Sequence, residues 1–108
     1  MTVNIHTIHF DADVALLEHV NKKIQKLQAH HDRIMTVDVY LKLDNVIHQI
    51  KDKITEIRVT VPPRHELFVK QSTKSFEESF DMALESMLTQ IKKVKEKQSV
   101  WIFDNLAA

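Results

Sequence analysis

The stretch MTVDVYLKL, residues 35–43, puts Val37, Val39, Leu41 and Leu43 on one side and Asp38, Tyr40 and Lys42 on the other. A period of two over this length is the pattern of a strand with one buried face. The stretch EIRVTVPPRHELFVKQS, residues 56–72, shows the pattern again on either side of a break. Ile57, Val59 and Val61 alternate with Glu56, Arg58 and Thr60, and then Leu67 and Val69 oppose Phe68. Pro62-Pro63 divides the two runs, because neither proline can donate to a sheet ladder. The segment DNVIHQIKD, residues 44–52, is polar and reads as a turn. Three strands with such short connections predict an antiparallel meander.

Upstream, Val3 and Ile5 and then Ile8 and Phe10 predict a first strand with a register irregularity near Thr7. Asp11 and Asp13 suit a helix N-cap. Leu16, Val20, Ile24 and Leu27, joined by Leu17, form an apolar stripe and predict a helix from about Val14 to Ala29, closing in HHDR. Downstream, Ser75 and Glu78 have the spacing of a capping box. Phe76, Phe80, Ala83, Met87, Ile91 and Val94 then mark one face of a helix reaching about Gln98. Glu77, Glu78, Asp81 and Glu85 crowd its start, where the helix dipole favours carboxylates.

The order is β-α-β-β-β-α, so the expected fold is α+β, with two helices packed on one face of a four-stranded mixed sheet. If the first two strands pair in parallel, their crossover should be right-handed. The expected domain spans residues 1–98, and residues 99–108 form an apolar tail with Trp101 and Phe103. That tail either folds back on a sheet edge, the preferred reading, or packs on a second chain.

Composition removes several classes of function. The 108 residues contain no Cys and no Gly. Disulfides, thiolate nucleophiles and zinc-thiolate sites are excluded, as are the Gly-dependent phosphate loops and the G-x-S-x-G elbow. No apolar run approaches the roughly 18 residues of a membrane span. The start MTVNIHTIHF has no basic segment, apolar block or cleavage site, so no secretory leader is expected. Lys plus Arg and Asp plus Glu both number 15, giving a formal net charge of zero. Any basic patch must therefore be made by folding.

His6, His9, His19, His30, His31, His48 and His65 show no metal-binding spacing and read as surface imidazoles. The serines are explained as caps and helix positions, so neither a triad nor a metal hydrolase is favoured. Tyr40 points away from the apolar side of its strand, where an aromatic can stack on a base or simply be exposed. The lysines are more informative. Lys22, Lys23 and Lys26 lie in the second half of the first helix, with Lys22 and Lys26 opposite its apolar stripe. Lys92, Lys93, Lys95 and Lys97 lie in the second helix, and Lys70 and Lys74 follow near the end of the fourth strand. Parallel helices would bring the two helical sets to one end, a candidate phosphate-binding surface. Lysines near helix C-termini also complement the dipole without any ligand.

The residues also resemble a family. Lys23, Lys26 and Leu27 match a K-x-x-K-L pattern, and Asp32-Arg33 matches an aromatic-Asp-Arg segment in which His31 stands where Phe is usual. EIRVTVP, then SFEE, Asp81 and the closing QIKKVKEK complete the likeness over about residues 2–98. In these features the chain resembles the short ribosome hibernation promoting factors, the ribosome-associated translation inhibitors. The resemblance implies a non-enzymatic, cofactor-free cytoplasmic bacterial protein active in stress. Its partner would be the small ribosomal subunit, in the channel used by messenger RNA and transfer-RNA anticodon ends. It implies rRNA contacts from Lys23, Lys26, Lys92, Lys93, Lys95 and Lys97, to which geometry adds Lys22, Lys70 and Lys74. A monomer or weak dimer with no membrane or small-molecule partner is expected. The alternative is a protein-interaction module on the same fold, using the apolar tail or the sheet.

Overall fold

A computed structural model describes residues 1–31, 33–45, 51–62 and 65–107; of residues 44, 45, 51, 52 and 95–107 only the backbone is described. The elements are β1 (Thr2–Ile8), α1 (Val14–His30), β2 (Thr36–Asn45), β3 (Lys51–Val61), β4 (His65–Thr73) and α2 (Phe76–Ala107). The strands lie in the order β1-β2-β3-β4, with β1 parallel to β2 and the other pairs antiparallel. The expected α+β architecture with a mixed sheet is thus the one observed.

Register turns the alternating patterns into two faces. Ile5, Val39, Ile57 and Val69 form one row across all four strands, and Val3, Val37, Val59 and Leu67 form another. These rows meet the helices. Leu16, Val20, Ile24 and Leu27 of α1 are buried there with Phe76, Phe80, Ala83, Leu84, Met87 and Ile91 of α2. The alternate rows, His6-Tyr40-Glu56-Lys70 and Asn4-Asp38-Arg58-Phe68, form the open face. A slip of one residue would exchange the two faces, so burial fixes the register.

Since β1, β2 and β4 run one way, both helices return against them and lie parallel to each other. Helix α1 starts on Asp13, whose carboxylate accepts from the Leu16 N–H at 2.7 Å. It ends at His31, whose N–H reaches the Leu27 carbonyl at 3.1 Å. His31 is only 4% exposed, and its Nδ1 accepts from the Arg33 N–H at 3.1 Å. The buried imidazole thus ties the close of the helix to the backbone at Arg33.

Four boundaries differ from the sequence reading. The β1 ladder is regular through Ile8, opposite Lys42; the irregularity is at His9, with φ 67°. The left-handed backbone there turns the chain so that Phe10 stacks on Phe76, with ring centroids 4.4 Å apart. A histidine accepts this conformation more readily than a β-branched residue. Strand β3 begins at Lys51, inside the stretch read as a turn, because pairing with β2 outweighs its weak strand propensity. Residues 46–50 of that stretch lie outside the described residues. No reciprocal Ser75–Glu78 box forms. The Ser75 hydroxyl donates to Glu77 Oε2 at 2.9 Å, while Thr73 Oγ1 accepts from the Ser75 N–H. Helix α2 continues past Gln98 to Ala107, since nothing in the sequence breaks it. The packing expected of Trp101 and Phe103 lies outside the described side chains.

One polar contact crosses the core. Thr55 Oγ1 and Ser79 Oγ are 2.7 Å apart, and both residues are fully buried. Ser79 donates its one hydroxyl proton to the Phe76 carbonyl, so the Thr55 hydroxyl donates to Ser79 Oγ. Replacing Ser79 by Ala alone should cost about 1–3 kcal/mol, because the Thr55 hydroxyl loses its partner. Adding Thr55→Val should recover most of that loss, as measured by urea unfolding of the four members of the cycle.

Candidate nucleic-acid interface

At about 100° per residue, Lys22 and Lys26 fall on the side of α1 away from Leu16, Val20, Ile24 and Leu27, and both are exposed. Lys23 falls on the flank toward α2 and is not free. Its Nζ donates to Asp81 Oδ1 at 3.1 Å, and His19 Nε2 reaches the same oxygen at 3.0 Å. The His19 ring meets Phe80 edge-on, with centroids 6.0 Å apart, so the core fixes its direction. Burial pushes the Asp81 carboxyl up, but the hydrogen bonds and charges of Lys23 and His19 outweigh this and hold it below the usual range. Its ionised form therefore persists to lower pH. Whatever stability it contributes is present above the ordinary carboxylate range and lost as pH falls through the lowered value.

On α2, Lys92 and Lys93 are exposed. They lie about 100° apart, so Lys92 faces the α1 flank and Lys93 the β4 edge. The Asp81 bridges bring α1 level with α2 residues some 60 positions on. Lys92 then sits roughly 9 Å beyond Lys26 along the shared axis. His30 and Arg33, both exposed at the close of α1, lie at this end as well. The side chains of Lys95 and Lys97 lie outside the described residues.

The opposite end is acidic. Asp11 and Asp13 precede α1, and Glu77 and Glu78 occupy the first turn of α2. A neutral chain is thus polarised along its helix pair, with acids where the helices begin and bases where α1 closes and at mid-length of α2. The segregation resolves the zero net charge without a long basic run. It also separates Lys70 and Lys74 from the helical lysines. Lys74 follows β4 beside the acidic end, and Lys70 is on the open sheet face opposite Glu56.

That open face is charge-balanced. Lys42 pairs with Glu56 at 2.8 Å, Arg58 with Glu66 at 3.2 Å, and His6 with Asp38 at 3.4 Å. Tyr40 does face this side, where it stacks on His6 with centroids 4.7 Å apart. Lys22, Lys26, Lys92 and Lys93 make no ion pair among the described residues; Lys70 and Lys74 make none either, but stand apart from that group. Free cationic groups are what a polyanion can use, so the helical end is the candidate interface. Among the described residues no group of His, Asp and Glu is arranged to hold a metal ion. None of their helices is long and apolar enough to cross a membrane.

Sequence reasoning missed two parts of this site. Arg33 entered it only as a motif residue, although its place just after α1 puts it at the basic end. Asp81 was assigned to the helix dipole, whereas it is committed across the helix pair. Its flank position beside Phe80 was the available signal, together with the i, i+4 spacing of His19 and Lys23.

The architecture is shared with solved proteins. A ribosomal subunit interface protein from Coxiella burnetii superposes with a TM-score of 0.78 at 20% identity, over 89% of this chain and 99% of that one. The N-terminal domain of Protein Y from Thermus thermophilus gives 0.73 at 21% identity, over 87% and 99%. At those identities the likeness is one of fold. No curated protein sequence matches the chain. The family match, in contrast, spans residues 3–99, nearly the whole fold just described. The chain belongs to the ribosome-associated family described as sigma 54 modulation protein / S30EA ribosomal protein.

Proposed function

We propose that this protein is a non-enzymatic inhibitor of translation that binds the small ribosomal subunit in the channel for messenger RNA and transfer-RNA anticodon ends. The observation that carries the reading is the set of unpaired lysines at one end of the helix pair, on a member of a ribosome-associated family. Lys22, Lys26, Lys92 and Lys93 contact phosphates of 16S-type rRNA, and Lys95 and Lys97 extend the contact along α2. In this reading Lys70, on the open sheet face, and Lys74, beside the acidic end, take no part. The protein acts in the cytoplasm as a monomer or weak dimer, without cofactor or small-molecule substrate.

Sedimentation with purified small subunits tests this. Six phosphate contacts predict an affinity loss on the order of 10³-fold between about 50 and 200 mM salt. Pelleting at the lower salt that fades at the higher is the expected result. Absence from the pellet at low salt would reject the reading and leave the fold as a protein-interaction module.

A further inference from the structure

The contact between α1 and α2 has the donor arrangement of an oxyanion site. Two donors from one helix, His19 Nε2 and Lys23 Nζ, converge on a single oxygen, Asp81 Oδ1, at 3.0 and 3.1 Å. The three side chains are 26%, 34% and 41% exposed, so the site opens to solvent. Phe80 fixes the imidazole from behind. Lys22 and Lys26 stand on the same helix beside this contact, and Lys92 follows further along α2.

We propose that Asp81 is a built-in counter-anion, which fills the place of a nucleic-acid phosphate between the helices and so limits how tightly the basic end holds RNA. The inference deepens the reading given under Proposed function and rests on it for the identity of the polyanion. A phosphodiester oxygen and the Asp81 carboxylate compete for the same two donors. Both cannot sit there, since like charges at that distance repel. Binding therefore proceeds through Lys22, Lys26, Lys92 and Lys93 while Lys23 stays restrained. Asp81 sets specificity against loose polyanions, because only a partner matched to the outer lysines binds without displacing it.

The test compares wild type with Asp81→Asn and with the Lys23→Gln/Asp81→Asn double variant. Each is measured by sedimentation with small subunits across a salt series and by calorimetric titration with inorganic tripolyphosphate. Asp81→Asn should bind subunits about 5–8-fold more tightly near 0.1 M salt, with a salt slope steeper by roughly 0.7–0.9, the signature of one added phosphate contact. Tripolyphosphate binding should rise too, and Lys23→Gln should abolish both gains. A clamp serving only to join the helices would move thermal stability and leave the salt slope alone. Unchanged or weaker binding by Asp81→Asn overturns the inference, as does a gain that survives removal of Lys23. If no variant pellets with subunits while the tripolyphosphate gain appears, the ribosomal reading fails and the counter-anion role stands. Should Asp81→Asn fail to fold, single variants decide. Lys23→Gln should weaken subunit binding less than Lys26→Gln does, and equal losses would overturn the inference.

Discussion

Replacing Lys22, Lys26, Lys92 and Lys93 together by glutamine should weaken binding to small subunits by roughly 10³-fold at about 0.1 M salt. Each lysine that neutralises a phosphate releases condensed counterion and adds about 0.7–0.9 to the slope of log affinity against log salt. The four together should flatten that slope by roughly 3. Their side chains are exposed and make no ion pair among the described residues, so the fold should hardly notice their loss. Exposed substitutions of this kind usually shift stability by no more than about 0.5 kcal/mol each. Wild-type affinity and slope in a folded quadruple variant would take the basic end out of the interface.

The largest effect on stability is expected from Phe80→Ala. Phe80 is fully buried and stands first by volume among the wholly enclosed side chains of the described residues. It lies in the core between the sheet and α2, and His19 of α1 rests on its edge. Truncation removes the ring's transfer free energy and leaves a cavity that two helices and a sheet cannot easily close. A loss of about 3–5 kcal/mol follows. Against a total of roughly 5–15 kcal/mol for a domain, that leaves a protein near the edge of folding. The urea midpoint should fall sharply with little change in the slope of the transition. A loss below about 1 kcal/mol would mean that the core around residue 80 collapses to refill the space.

How far the chain could be read depended on the range of the interactions involved. The strips Val37-Val39-Leu41 and Leu16-Val20-Ile24-Leu27 declare their faces through local periodicity alone, and the structure buries all of these residues. The same holds for Phe76, Phe80, Ala83, Met87, Ile91 and Val94, and element order then left few ways to cover the apolar faces. Boundaries were less legible, because they depend on partners. Lys51 to Thr55 joins β3 through pairing with β2, which no local propensity reveals. Ser75 turned to Glu77 because Thr73 took its N–H.

For the candidate site, helical spacing showed where the lysines lie on each helix but not which of them are free. Lys23 looks like Lys22 and Lys26 in the sequence. Its difference comes from Asp81, 58 residues away, and appears only once the helices are docked. Lys70 and Lys74 were grouped with the helical lysines by their nearness to the end of β4. Alternation places Lys70 on the open sheet face, and Lys74 follows β4 at the end where α2 begins.

The separation of acids and bases along the helices has a kinetic consequence. A body with no net charge is not drawn as a whole toward a polyanion; it is turned. That torque is screened within about 8 Å at physiological ionic strength. The chain should therefore meet its target at an ordinary rate, about 10⁵–10⁷ M⁻¹s⁻¹, without the acceleration open to strongly basic proteins. Salt would then act mainly on how long the complex lasts. Such a protein would explore the crowded polyanions of a cell without lingering on them, and would stay only where its lysines find a matching row of phosphates.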